Sequence, residues 1–283
     1  MGHSDWIVTE YLKIVIKNYN KMNIKLENLE INGYHLYQDK DNFNFGIDAV
    51  LLANFALKEL NIMSNTKIQI CDFCTGTLPI PLMMYAKSNV KNATIKIDAF
   101  EIDNEQVTLC NKSIIWNYEN VTSAHNIKED ILVYNDDIKN IFLDREKYKK
   151  KYECYDVITV NPPYNKKGSG LINANDKKVV ARHEVSLTFD DICKAANLIL
   201  KSNKKLYFIH QTSRLSEIIW TLKKYSFEIK KISFIHSYVD KESNLFLAEA
   251  IKNANSGIKI LPPIIIYDKP FEYSKEVLKI YGK

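Results

Sequence analysis

Glycine, proline and cysteine are all in short supply in this chain, and each shortage narrows its architecture. Among 283 residues there are 8 glycines and 7 prolines, with no Gly/Ser/Pro-rich stretch to serve as a linker. The 5 cysteines, at 71, 74, 110, 154 and 193, are odd in number and fall mostly inside strand-like or helix-like segments. Such a set is no disulfide framework and points to a reducing cytoplasm. No apolar run is long enough to span a membrane. Residues 1–22 carry Asp5, Glu10, Lys13 and Lys17 among apolar positions and have no signal-peptide layout, although 6–16 has the pattern of a short amphipathic helix. A strong charge bias is missing too: 39 basic against 34 acidic residues give a net charge of +5. That permits a nucleic-acid partner without requiring one. What the chain does have is a hydrophobic fraction of 46%, ample for a packed core and incompatible with general disorder.

From residue 67 onward, apolar runs alternate with helical patterns. Strands are expected at 67–73, 94–101, 155–160 and 205–210, with helices starting at 79, 104, 188 and 215. Thr188-Phe-Asp-Asp191 has the form of a capping box. Two later apolar runs, 229–235 and 258–267, have no comparable helix between them, and Pro262-Pro263 suits an edge strand. The alternation predicts an α/β fold: a Rossmann-like, doubly wound, mostly parallel sheet over 67–283 with an antiparallel C-terminal edge. Residues 1–66 form a helical or hairpin extension on that core in this reading. Such sheets bind ligands beyond the carboxyl ends of their strands. Asp72 to Thr77, Glu101 to Asp103, Asp130 and Asn161 to Tyr164 are all expected there.

The most informative of these is Asn161-Pro162-Pro163-Tyr164, directly after a hydrophobic strand. Two prolines fix φ and remove two backbone donors. The Asn161 side chain and the carbonyls of Asn161 and Pro162 then become acceptors for a substrate NH2, and Tyr164 supplies a stacking face. An amine held this way directs its lone pair out of plane, toward an electrophile. A plain proline turn is the competing reading. The preceding strand, the Tyr in fourth place and the acidic residues upstream favour the chemical one. Asp72-Phe-Cys-Thr-Gly-Thr77 is a weaker signal, a turn whose single Gly76 allows close ligand approach. Glu101 suits a pair of ribose hydroxyls, with Asp103 as a rival, and Asp130 suits an adenine amino group. Cys71-x-x-Cys74 lacks the further ligands a zinc site needs, so no metal is expected.

Together these residues resemble the class I S-adenosylmethionine (SAM)-dependent methyltransferases. More narrowly they resemble the bacterial tRNA1(Val) (adenine(37)-N6)-methyltransferases, over about 25–270. The narrower likeness is carried by Phe45-Gly-Ile-Asp48-Ala-Val-Leu-Leu-Ala53, Ala181-Arg-His-Glu184 and Gly257-Ile-Lys-Ile-Leu-Pro-Pro-Ile-Ile-Ile-Tyr267. The resemblance implies that Asp72, Thr75, Gly76, Glu101, Ile102, Asp130 and Asn161 contact SAM, that Asp48 closes its methionine end, and that Asn161, Pro162, Pro163 and Tyr164 hold the target adenine. It implies a tRNA partner touched by Lys166, Lys167, Arg182 and His183, and a monomer acting in the cytoplasm. The same tetrapeptide also serves methylation of a glutamine amide or of DNA adenine, and a chain that had lost SAM binding would remain an RNA-binding module. One departure stands out: Cys74 and Leu78 occupy places where the family turn has glycine, and Thr77 replaces Asn. A left-handed backbone at those two places would cost roughly 1–2 kcal/mol each.

Overall fold

The computed structural model describes residues 23–41, 45–60, 67–89, 94–163 and 187–283. Tyr164, Lys166, Lys167, Arg182 and His183, and the helix expected at 6–16, lie outside the described residues.

Strands β1 (Ile24–Asn28) and β2 (His35–Asp39) make an antiparallel hairpin, followed by helix α1 (Ile47–Leu60). Then come β3 (Lys67–Phe73), α2 (Pro79–Asn89), β4 (Thr94–Glu101), α3 (Asn104–Asn120), a short α4 (Ile127–Asp130) and β5 (Ile131–Asn135). Two single-turn helices, α5 (Asn140–Leu143) and α6 (Arg145–Tyr148), lead to β6 (Tyr155–Val160). The remainder is α7 (Phe189–Ile199), β7 (Leu200–Gln211), α8 (Leu215–Lys224), β8 (Phe227–His236), β9 (Ser243–Lys252), β10 (Lys259–Ile260), β11 (Ile264–Ile265), β12 (Tyr267–Lys269), β13 (Glu272–Tyr273) and α9 (Lys275–Ile280).

The central sheet runs β10-β8-β9-β7-β6-β3-β4-β5, with β11 also on β8. β7, β6, β3, β4 and β5 are parallel neighbours. β9 is antiparallel to both β7 and β8, while β10 and β11 run parallel to β8. This is the expected mostly parallel sheet with an antiparallel C-terminal part. Its chain order reverses between β3 and β6, which is where doubly wound sheets open a crevice.

Both faces are covered. One apolar cluster joins Ile70, Ile97, Leu52, Ala56, Leu82, Met84 and Ile114; the other joins Phe73, Phe100, Ile158, Phe208, Ile192 and Leu222. Leu29, Tyr34 and Leu36 of the hairpin belong to the first cluster, so residues before 67 share its core. The hairpin edge is covered by α3. Asn117 accepts from the His35 amide (3.0 Å) and donates to its carbonyl (2.6 Å), and Ser113 accepts from the Tyr37 amide (2.8 Å). Two polar residues on a buried helix face thereby satisfy strand groups that would otherwise stand open. At the start of α7 the capping box closes fully: the Thr188 hydroxyl accepts from the Asp191 amide, and the Asp191 carboxylate accepts from the Thr188 amide. Among the described residues no helix is long and apolar enough to cross a membrane.

Candidate active site

The crevice between β3 and β6 collects most of the expected residues. Asp72 and Thr159 are register partners across these strands, and the Thr159 hydroxyl donates to Asp72 Oδ1. The second carboxylate oxygen, Oδ2, is buried and unpartnered among the described residues, and so is the Thr75 hydroxyl. That hydroxyl lies near enough to favour the ionised carboxylate without reaching hydrogen-bonding geometry. Burial is the main force on Asp72 and lifts its pKa from 3.8 to about 7; the Thr159 bond opposes the rise and the nearby Glu101 charge adds to it. A buried carboxylate with one orphan oxygen is costly unless a ligand completes it.

The turn after β3 has the strained form that its missing glycines implied. Cys74, Gly76 and Leu78 all have left-handed φ, at 55°, 57° and 78°. The turn is held by the Thr75 amide donating to the Phe100 carbonyl (3.0 Å) and the Gly76 amide donating to Glu101 Oε2 (2.8 Å). A side chain at Gly76 would meet nothing within 4 Å among the described residues, so open space faces the turn there. Cys74 and Leu78 give opposite expectations. Cys74 is half-buried, so Cys74→Gly relieves strain at little packing cost and should stabilise by roughly 0.5–1 kcal/mol. Leu78 is fully buried. Leu78→Gly relieves the same strain but empties a core site, for a net loss of about 2–3 kcal/mol. Urea unfolding midpoints of the two variants should move in opposite directions.

Glu101 ends β4 and is fixed at both oxygens, Oε2 by the Gly76 amide and Oε1 by the Asp103 amide (2.9 Å). Asp103 itself is the N-cap of α3, accepting from the amides of Glu105 (2.8 Å) and Gln106 (3.4 Å). It is occupied as a cap. Ile102 is 46% exposed, and its carbonyl is held by Asn135 Nδ2 (3.0 Å), which leaves an apolar side chain projecting from the rim.

Among the described residues, Asp130 is the one expected site residue that the structure places elsewhere. It precedes β5 rather than following it. The β4–β5 register sets Ile131 opposite Ile97 and Asn135 opposite Glu101. Asp130 therefore lies about five residues below the rim, roughly 16 Å at about 3.3 Å per residue. There it accepts from the Tyr85 hydroxyl (2.8 Å) and pairs with Lys96 (3.8 Å). The acids that do follow β5 are Asp136 and Asp137. The Asp136 amide donates to the Glu101 carbonyl (3.0 Å), which puts this pair at the rim. Burial works against the Asp136 charge, but bonds from Lys147, Tyr148 and Asn140 outweigh it and hold the carboxyl below its ordinary range. The Cys74 thiol is pushed well up, first by burial and then by the charges of Glu101, Asp72 and Asp137. Three carboxylates thus converge on the turn and favour a cation there.

On the other side of the crevice, Asn161 follows β6 and meets the start of α1. Its Nδ2 donates to Asp48 Oδ2 at 3.2 Å, across 113 residues of sequence. Asp48 Oδ1 accepts from the Ala49 amide (3.0 Å). Pro162 is buried and Pro163 exposed. Tyr238 packs tilted against Tyr267 at 5.6 Å, and Tyr267, Tyr273 and Tyr281 stack in succession at 5.3 and 5.7 Å. The last of them reaches this corner: burial chiefly, then its tyrosine neighbours and the Asp48 charge, push its pKa up to about 12. At the end of β7, His210 is pushed down to about 4, mainly by burial, so it is a neutral ring at physiological pH. A groove of about 560 Å³ lies elsewhere, between α3 and the β5 edge. Its lining is mostly apolar, and the convergent polar groups are at the crevice.

A predicted O-methyltransferase from Agrobacterium tumefaciens superposes with a TM-score of 0.60 at 18% identity, over 83% of this chain and 95% of that one. The fold is that of a class I methyltransferase. By sequence the chain is similar to proteins named tRNA1(Val) (adenine(37)-N6)-methyltransferase. One from Aliivibrio salmonicida is 30% identical over 95 residues, which is 34% of this chain and 40% of the relative. Another, from Dyadobacter fermentans, is 25% identical over 210 residues, 71% of this chain and 75% of the relative. No protein-family model matches the chain. Doubly wound sheets bind ligands in such a crevice, and the residues here would suit SAM: orphan oxygens on Asp72 and Thr75, open space at Gly76, an exposed Ile102 and an acidic surround for a cationic ligand.

Proposed function

We propose that this chain methylates N6 of an unpaired adenine in tRNA, beside the anticodon, with SAM as donor. The observation that carries the reading is the Asn161–Asp48 pair at the β3/β6 crevice, next to the orphan oxygens of Asp72 and Thr75. In this reading Asp72 and Thr75 hold the cationic methionine end, with Asp48 closing it beside Asn161. Glu101 takes the ribose hydroxyls, Ile102 covers one adenine face, and Asp136 or Asp137 takes the place that the sequence assigned to Asp130. SAM would supply a methyl group on a positively charged sulfur: as the bond to N6 forms the sulfur–methyl bond breaks, the neutral thioether is the leaving group, and one N6 proton passes to solvent afterwards, so the neutral amine needs no deprotonation before attack.

The chain's own part is to bind and aim the amine. The target base leaves its stack to enter the crevice. The Asn161 side-chain carbonyl and the Pro162 backbone carbonyl each accept one N6 hydrogen, and Tyr164 stacks on the ring. Holding the amine this way turns its lone pair toward the methyl group, and positioning of this kind supplies much of the rate. The relatives' names support tRNA as substrate.

Phosphate contacts are assigned to Lys166, Lys167, Arg182 and His183. Several lysines further along are already engaged: Lys223 with Glu228 (3.1 Å), Lys224 with Asp190 (2.6 Å), Lys230 with the Asn255 carbonyl (3.0 Å) and Lys231 with Glu59. Lys147 and Lys151 are likewise paired, with Asp136 and Asp98. The test offers labelled SAM and purified protein to separate pools of tRNA, DNA and translation factors. Label should enter tRNA, with binding that weakens steeply as salt rises. Label in the protein pool would make the acceptor a glutamine amide, and label in DNA would make it a DNA adenine.

A further inference from the structure

We propose that Asp48 is a positioning residue that sets which way round the Asn161 amide sits. The inference rests on the proposed reading of Asn161 as the acceptor for the target amine. A side-chain amide can turn over by half a revolution, exchanging its oxygen and its NH2, and only its neighbours decide between the two. In one orientation Asn161 presents a carbonyl to a substrate NH2. In the other it presents its own NH2, two donors meet, and the amine is not held.

The carboxylate of Asp48 discriminates between these states because it only accepts. Its Oδ2 takes a hydrogen from Asn161 Nδ2 at 3.2 Å, which turns the Asn161 carbonyl to the opposite side. A reversed amide would set two oxygens, one of them charged, against each other. Asp48 is itself held in place. Its Oδ1 accepts from the Ala49 amide at 3.0 Å, in the first turn of α1, where a negative charge is favoured. Gly46 leaves room for it: a Cβ at that position would lie 2.7 Å from Asp48 Oδ1. Both oxygens of Asp48 are therefore acceptors with a set partner, and the second partner is the residue assigned to the chemistry.

Asp48→Asn is the informative change, because it keeps shape and removes one acceptor. Its single oxygen can satisfy Ala49 or Asn161, not both. With the oxygen on Ala49, the new NH2 faces Asn161 and selects the reversed amide. Transfer to tRNA should then fall about a hundredfold in kcat measured at saturating SAM, with the KM for tRNA within about threefold. Asp48→Ala removes the preference without inverting it and should lose less. In an Asn161→Ala background, Asp48→Asn should add no further loss, since Asp48 acts through Asn161. A readout without turnover comes from the Asn161 side-chain NH2 in a 15N-labelled sample, identified by its disappearance in Asn161→Ala. This signal should be protected from exchange in the native protein and lose that protection in Asp48→Asn. An unmoved signal, a loss equal to that of Asp48→Ala, or additivity with Asn161→Ala would overturn the proposal. An altered NH2 signal in a protein that transfers no methyl to any pool would leave the positioning contact standing and reject the proposed reaction instead.

Discussion

Asn161→Ala should abolish methyl transfer while leaving SAM binding almost unchanged. The side-chain carbonyl is one of two acceptors proposed to hold the amine, and loss of a preorganised polar contact at a reacting centre costs about a hundred- to a thousandfold. Here the loss should reach the upper end, because Ala also leaves the Asp48 carboxylate without the Asn161 hydrogen bond at the entrance to the crevice. SAM contacts are assigned chiefly to the turn after β3 and the ends of β4 and β5, with Asp48 retained at the methionine end, so titration calorimetry should give a Kd within about threefold of the native value. Single-turnover transfer to tRNA is the matching measurement. Full activity in this variant would remove Asn161 from the mechanism.

Asp72→Asn should separate stability from binding. The folded protein holds the Asp72 proton more tightly than the unfolded chain, since the pKa rises from 3.8 to about 7 on burial. The sign follows directly. Below about pH 4 the carboxyl is neutral in both states and contributes nothing. As pH rises toward 7 the unfolded chain ionises freely while the folded state does so only at a cost. Stability from this group therefore falls across that window and levels off above it, by on the order of 4 kcal/mol. Asparagine keeps an acceptor for the Thr159 hydroxyl and carries no charge. The variant should be more stable than the native protein at pH 8, with the difference vanishing near pH 4. SAM binding should respond the opposite way. A cationic ligand selects ionised Asp72, so native affinity should rise with pH through about 7, and the variant should bind weakly with that dependence gone. Thermal unfolding and calorimetry at several pH values read both effects.

Much of this was legible in the sequence because it is local. The Asp72 turn, Glu101 and Asn161 each end an apolar run, and a run of strand length fixes which end of the sheet its last residue occupies. Asp130 failed for the same reason in reverse. Asp130 is expected beyond a strand end, whereas the apolar stretch 131–134 follows it and β5 carries the chain to Asp136 and Asp137. Two acids directly after that stretch were the available signal. β9 was hidden because its pattern is broken by Glu249, which is buried yet satisfied by the Tyr207 hydroxyl (2.8 Å) and Lys205 (2.9 Å). Only tertiary partners make such a residue tolerable in a core strand. Lys224 and Lys231 are basic residues whose carboxylate partners, Asp190 of α7 and Glu59 of α1, lie far off in the chain and out of reach of any local pattern. The strain at Cys74 and Leu78 was visible as two missing glycines, since the turn keeps a left-handed backbone whatever side chains it bears. The contact between Asp48 and Asn161 joins residues 113 apart in the chain, and that separation concealed it.

The central claim is that an exocyclic adenine amine receives a methyl group at the Asn161 corner. Its most direct test is to incubate the purified protein with tRNA and SAM bearing a deuterated methyl group, digest the tRNA and analyse the nucleosides by mass spectrometry. The deuterated methyl should appear on N6 of adenosine, at one position beside the anticodon, and be absent with Asn161→Ala. Label on a guanine or on a ribose oxygen, or equal N6 labelling with Asn161→Ala, would contradict it.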